Sequence, residues 1–169
     1  MVTPPLRIHT FKRGLLAKLA HDLQLSIADV QVERDGPRVT ARVRADAIAV
    51  DGVIRDGRLR ADVLSAKDAR DILANTARDV LDSARHPEIR FEGEARQEGE
   101  RLRVSGTLHL HGRRGFVSFD LHVHDGLATG EVELVPSRWG IAPFTALMGA
   151  MAVQDRVVLR FAVPIQPIS

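Results

Sequence analysis

Apolar and polar residues alternate with a period of two through most of this 169-residue chain. No other feature limits the fold as much. Side chains on a β-strand point alternately to opposite faces, so such a pattern marks strands buried on one side. HDLQLSI puts Leu23, Leu25 and Ile27 on one face, and the phase then slips through Ala28-Asp29 to Val30 and Val32, as a bulge makes it do. RVTARVR sets Val39, Ala41 and Val43 against Arg38, Thr40, Arg42 and Arg44. The alternation resumes at Ile89 and Phe91. Leu102, Val104, Leu108 and Leu110 share one parity, as do Val117, Phe119, Leu121 and Val123. Val132 and Leu134 oppose Glu131 and Glu133, and the last run carries Val157, Leu159, Phe161, Val163 and Ile165. Turn signals separate the runs at Asp35-Gly36-Pro37, Asp51-Gly52, Glu98-Gly99 and Asp125-Gly126. The pattern predicts an all-β, antiparallel fold of about eight strands. Without a repeat or a linker, residues 1–169 are expected to form a single domain.

Two segments depart from the alternation. SAKDARDILANTARDVLDSARHP predicts a helix over about 66–84. Ser65 and Asp68 resemble a capping box, Ala69, Ile72, Leu73, Thr76, Ala77, Val80 and Leu81 form a helical stripe, and Pro87 forbids continuation. PFTALMGAMAV predicts a short helix over about 143–152, starting after Pro143.

Composition narrows the function classes. The chain is 44% hydrophobic but only 4% aromatic, so its interior is built from Leu, Val, Ile and Ala. A net charge of +2 is a weak electrostatic footprint. Arg38, Arg42, Arg44, Arg58, Arg60, Arg101 and Arg103 alternate with apolar positions as a solvated face does, and few aromatics are available for base stacking. No nucleic-acid partner is expected. The absence of Cys excludes disulfides and a thiol nucleophile. There is no GxSxG, HExxH, P-loop or dinucleotide motif, so neither an enzyme nor a cofactor is expected. The N-terminal segment lacks the pattern of a signal peptide, and no window approaches the roughly 20 apolar residues of a membrane span. The chain reads as soluble and cytoplasmic, and as periplasmic only if its true start lies upstream.

The stretch GTLHLHGRRGFVSFDLHVHDG concentrates His109, His111, His122 and His124, which raises the question of a metal. With Arg113 and Arg114 as a two-residue turn, Leu110 pairs with Val117, Leu108 with Phe119, Gly106 with Leu121 and Val104 with Val123. His109 then lies opposite Ser118 and His122 opposite Ser105, roughly 13 Å apart along the ribbon at about 3.3 Å per residue. One zinc ion cannot gather ligands over that span. The histidines read as the wet face of a strand pair, with no metal site, and the opposite face is aliphatic throughout.

About eight antiparallel strands with one apolar face form a sandwich or close into a barrel. An eight-stranded barrel is wide enough for its own side chains or for one small ligand. With few rings to plug the middle, two outcomes stay open: an apolar cavity for a long hydrophobic guest, or a filled barrel acting as a structural or interaction module.

Several segments resemble one family. SARHPEIRFEG is similar to its tyrosine- or histidine-Pro-x-Ile-x-Phe strand, GTLHLHGRRGFVSFDLHV to its strand pair with a leucine-rich first arm, and PSRWGIAPF to its Arg-x-x-Phe-Gly-Ile segment, with Trp139 in the aromatic place. AHDLQLSI sits where the family has an early histidine-containing strand. Over roughly His21 to Ile165 the chain resembles the YceI-like, polyisoprenoid-binding family of lipocalin-like barrels. The resemblance implies a barrel with a helix beside it, an isoprenoid or fatty-acid-like ligand, no established catalysis and, commonly, a homodimer. Carried over by position, the pore lining falls on Leu25, Ile27, Phe91, Leu108, Phe119, Leu121, Trp139, Phe144, Met148 and Phe161, each of which also fits plain core. Phe144 and Met148, at i, i+4 on the short helix, would form a lid. The indole N–H of Trp139 needs a partner when buried and would orient a polar head. His21-Asp22 is a second polar candidate, with a cap or surface contact as the plainer reading. The chain departs from many relatives in lacking an export signal and in carrying fewer aromatics.

Overall fold

The computed structural model describes residues 4–14, 21–146, 148 and 150–165. The first half contains β1 (Leu6–Arg13), β2 (Asp22–Ile27), β3 (Gln31–Asp35), β4 (Arg38–Arg44), β5 (Ile48–Arg55) and β6 (Arg58–Arg60). A helix, α1 (Ala66–Asn75), precedes β7 (Glu88–Glu98), β8 (Arg101–Leu110), β9 (Arg113–His124), β10 (Leu127–Leu134), β11 (Thr145–Ala146) and β12 (Met151–Pro164). Every described pairing is antiparallel. The fold is mostly antiparallel β, as the alternation predicts, with one helix and the lipocalin-like form that the family resemblance implies.

The strands form one sheet in the order β3-β4-β7-β8-β9-β10-β12-β1-β2-β5-β6, with β11 added to β12. β3 stands at one end of that order and β2 near the other, yet only Ala28–Val30 separates them along the chain. β4 and β5 are joined as closely, by Ala45–Ala47. The two ends of the sheet are therefore tied covalently, and the sheet must curl round on itself. One circuit passes β4, β7, β8, β9, β10, β12, β1 and β2. β3 and β5 continue β2 and β4, and β6 and β11 are short additions. The phase slip expected at Ala28-Asp29 is the point where β2 ends, before β3 takes a different partner.

Four expectations need correction. Asp51-Gly52 is not a turn. Gln24 faces Gly52 while Leu25 faces Val50, so Asp51 is the extra residue of a bulge inside β5. The turn comes later, at Asp56-Gly57, where both residues have positive φ (51° and 73°). The β8–β9 turn is His111-Gly112 rather than Arg113-Arg114, because Leu110 pairs with Arg113. A two-residue type I′ turn needs positive φ at both positions, and His111 and Gly112 have φ of 52° and 71°. Glycine adopts such values freely, and histidine is one of the side chains enriched there. The slip from the predicted register is four residues, an even number, so every side chain keeps its face. Leu102 now meets Leu121, Val104 meets Phe119, and Gly106 meets Val117.

The helix is shorter than expected. Ser65 caps it as predicted: its hydroxyl accepts from the Asp68 N–H at 3.0 Å, and the Asp68 carboxylate accepts from the Ser65 N–H at 3.2 Å. After Asn75 one π-helical turn, Thr76–Val80, ends the element. Among the described residues, no α-helix runs over 143–152. Thr145 and Ala146 pair with Ala152 and Met151, and β12 is already extended at Met151. β10 stops at the Leu134–Val157 pair, which leaves that edge of β12 free for β11. Met148, with φ of 54°, has a backbone no α-helix contains. β1, absent from the sequence reading, pairs with both β2 and β12.

A candidate ligand cavity inside the sheet

The inward stripes of the strands enclose a cavity of about 480 Å³. Its wall draws on β1 through Leu6 and Ile8, on β2 through Leu25 and Ile27, on β4 through Val39 and Ala41, and on β8, β9, β10 and β12. That opposite ends of the pairing order contribute shows how far the sheet curls. Ile72, Val80 and Leu81 close it from the helical segment, and Ile141, Ala142 and Pro143 from the loop before β11. Protein interiors are packed like molecular crystals and seldom leave voids larger than a water molecule. A space of this size lies within the roughly 300–1,000 Å³ typical of small-molecule sites.

Glycines on the inward stripes let neighbouring groups pack close against the wall. Gly93, Gly106, Gly115 and Gly130 all occupy inward positions of β7 to β10. Gly93 pairs with Gly106, and a Cβ on Gly93 would lie 2.6 Å from Cζ of Phe91. The Phe91 ring thus lies over this glycine. It stands 6.4 Å from Phe119, which stacks on Phe161 at 5.1 Å with 2° between the ring planes. Three phenylalanines from non-adjacent strands therefore meet across the interior.

The lining is almost entirely hydrocarbon. Its polar side chains are Thr10, Asn75, Thr76, Gln154 and Arg34. Most already have partners: Thr76 Oγ1 donates to the Ile72 carbonyl at 2.8 Å, Asn75 Oδ1 accepts from Arg78 at 3.1 Å, and Gln154 Nε2 donates to the Lys12 carbonyl at 3.0 Å. No Asp, Glu, His or Lys lies among the described lining residues.

Eight of the ten predicted lining residues border this one space: Leu25, Ile27, Phe91, Leu108, Phe119, Leu121, Phe144 and Phe161. Trp139 and Met148 do not. Trp139 is buried in a 3₁₀ turn, Pro136–Trp139, and packs with Val117 and Leu134. Its Nε1–H donates to the Leu108 carbonyl at 3.0 Å, so the partner it needs is backbone rather than a ligand head. Its ring lies over Gly115, where a Cβ would come within 2.6 Å of Cζ2. Met148 is fully exposed, and its positive φ of 54° does not set it one α-helical turn from Phe144. Asp22 accepts from the Lys12 N–H at 2.8 Å, a backbone contact outside the cavity.

The outer face is wetter but not uniformly so. His109 faces Arg114 and His122 faces Arg101, so these histidines are eight pairs apart, roughly 26 Å at about 3.3 Å per residue. His111 sits in the turn with its ring centroid 5.1 Å from that of His86. Among the described residues, no three His, Asp or Glu side chains come together as metal ligands. Exposed ion pairs set the local ionisation: the Arg60 guanidinium, hydrogen-bonded to Asp62, holds that carboxyl down to about 2, and Arg103 lowers Asp120 in the same way. Sequence reasoning missed a buried cluster here. Gln24 and Ser26, on the outward side of β2, are 7% and 6% exposed. Both donate to the bulged Asp51, at 2.7 and 2.6 Å, and His9 Nε2 contacts Gln24 Oε1 at 2.9 Å.

Comparison with known proteins agrees with this architecture. The family model of the YceI-like domain matches residues 12–165. The chain belongs to the YceI-like family. Solved structures share its fold at low identity. BcnA of Burkholderia cenocepacia is 12% identical with a TM-score of 0.60, over 93% of this chain and 94% of that one. A polyisoprenoid-binding domain of Saccharophagus degradans, implicated in plant cell wall breakdown, is 9% identical with a TM-score of 0.61, over 93% and 91%. The YceI protein of Campylobacter jejuni is 13% identical with a TM-score of 0.55, over 86% and 85%. No curated protein matches the chain in sequence. Among the described residues, no helix of this YceI-like domain is long and apolar enough to cross a membrane.

Proposed function

We propose that this YceI-like domain binds and carries one hydrophobic chain, an isoprenoid or a fatty-acid-like amphiphile, inside its curled sheet. The observation that carries the reading is the 480 Å³ cavity with its hydrocarbon wall. A barrel filled by its own side chains would retain only water-sized voids. Membership of the YceI-like family, and a fold shared with a polyisoprenoid-binding domain, support the same ligand class. Micromolar affinity corresponds to about 8 kcal/mol, each buried CH₂ contributes about 0.8 kcal/mol, and association costs several kcal/mol, so the guest needs about fifteen or more buried carbons. No reaction is proposed, because the described wall residues offer no acid–base pair.

The experiment is solvent extraction of the purified, folded protein followed by mass spectrometry, with uptake of a C20 isoprenoid alcohol measured in parallel. A single amphiphile near one per chain, or saturable uptake of the alcohol, is expected. An empty extract together with no saturable uptake sinks the reading.

A further inference from the structure

Val30, just before β3, and Val32 and Arg34 on it share one parity, and all three border the cavity. Arg34 therefore occupies a position that the alternation reserves for an apolar side chain. It pairs across the ladder with Val39, another lining residue, next to the Gly36 turn. Its Nε–H donates to the Gly36 carbonyl at 2.9 Å, and among the described residues neither terminal nitrogen has a hydrogen-bond partner. Among the described residues, no carboxylate pairs with it. β3 is exposed along its whole length, and Val32 is 45% exposed although it lines the cavity, so this is where the cavity meets solvent.

The described wall thus carries one positive charge, at its mouth, and no negative charge. We infer that the cavity selects an amphiphile with an anionic head, a carboxylate or a phosphate monoester, and that Arg34 binds that head while the tail runs inward past Val39, Leu25 and Ile27. The inference rests on the proposed function and adds the head chemistry and its residue. Guanidinium holds carboxylate and phosphate oxygens by paired, charge-assisted hydrogen bonds. A neutral alcohol gains none of this, and an amine meets a like charge. An inward charge also discourages edge-to-edge pairing of a short edge strand such as β3. That role is indifferent to the sign of the charge, which gives the means to separate the two.

The test measures dissociation constants for hexadecanoic acid, hexadecanol and hexadecylamine, and for geranylgeranyl monophosphate and geranylgeraniol. Wild type, Arg34→Ala and Arg34→Glu are compared in low and high salt. In wild type each anion is expected to bind about tenfold more tightly than the alcohol of the same tail, and the margin shrinks with salt because the site faces solvent. Comparing the fatty-acid and prenyl-phosphate arms shows which head geometry is preferred. Arg34→Ala brings acid and alcohol within about twofold of each other, and Arg34→Glu reverses the order in favour of the amine. Alcohols that bind as well as the acids in wild type, or an anion preference that survives Arg34→Glu, overturn the assignment to Arg34 and leave the carrier reading intact. Failure of every probe to bind overturns both.

Discussion

Asp51→Ala removes the acceptor that holds two buried donors. Gln24 and Ser26 reach the Asp51 carboxylate at 2.7 and 2.6 Å and are almost fully buried. A hydrogen bond to a charged group contributes about 1.5–3 kcal/mol net, and a buried donor left without a partner incurs its full desolvation penalty. Asp51 itself is half-buried, which places each bond at the lower end of that range. The expected loss is about 3–4 kcal/mol, a large share of the roughly 5–15 kcal/mol that holds a domain folded. At about 2–4 °C per kcal/mol for a chain of this size, Tm falls by about 10 °C. Urea denaturation followed by far-ultraviolet circular dichroism and by Trp139 fluorescence measures the change, with the slope in denaturant unchanged if the unfolded state is unaffected. Asp51→Asn keeps one acceptor oxygen and is expected to lose about half as much. In a Ser26→Ala, Asp51→Ala cycle the two effects couple, because both delete the same bond. A loss below about 1 kcal/mol for Asp51→Ala, with additive effects in the cycle, would refute the idea that this bulge is held by its carboxylate.

Other consequences are as direct. Phe119→Ala and Phe161→Ala should show a coupling of about 0.5–1.5 kcal/mol beyond their separate losses, since the rings stack at 5.1 Å, and a denaturation cycle measures it. Gly115→Ala pushes into the Trp139 ring and is expected to cost about 1–3 kcal/mol and to shift tryptophan emission to the red. The signal is unambiguous because the chain has one Trp and no Tyr. Carbon NMR titration should find Asp62 with a midpoint of about 2, and Arg60→Ala should return it towards the ordinary carboxylate value. Because the folded value is depressed, the stability this pair adds is complete above about pH 4 and is lost as pH falls through about 2.

The alternation made the faces legible but not the pairings. A four-residue slip at the β8–β9 hairpin keeps every parity, so the apolar ladder alone could not tell Arg113-Arg114 from His111-Gly112 as the turn; the demand for positive φ could. Parity also found most of the lining, since inward positions such as Leu121 and Phe161 stay inward in either register. Trp139 was misplaced because its sequence shows an aromatic needing a partner but not that the Leu108 carbonyl supplies it. The helix expected at Met148 rested on apolar content, whereas the free edge of β12 decides that segment. Arg34 was hidden inside the polar run QVERD, although its shared parity with Val30 and Val32 was a readable signal. The buried state of Gln24 and Ser26 had no such signal, because it depends on a bulge in a strand far along the chain.

Leu6 pairs with Phe161, almost the whole length of the polypeptide away. Contacts so distant in sequence form late, after local hairpins such as β8–β9 have assembled. Synthesis runs from the N-terminus, so β1 waits unpaired on one side until β12 has left the ribosome. The wall is complete only once β12 docks between β1 and β10, so truncating that strand opens the interior on both sides at once.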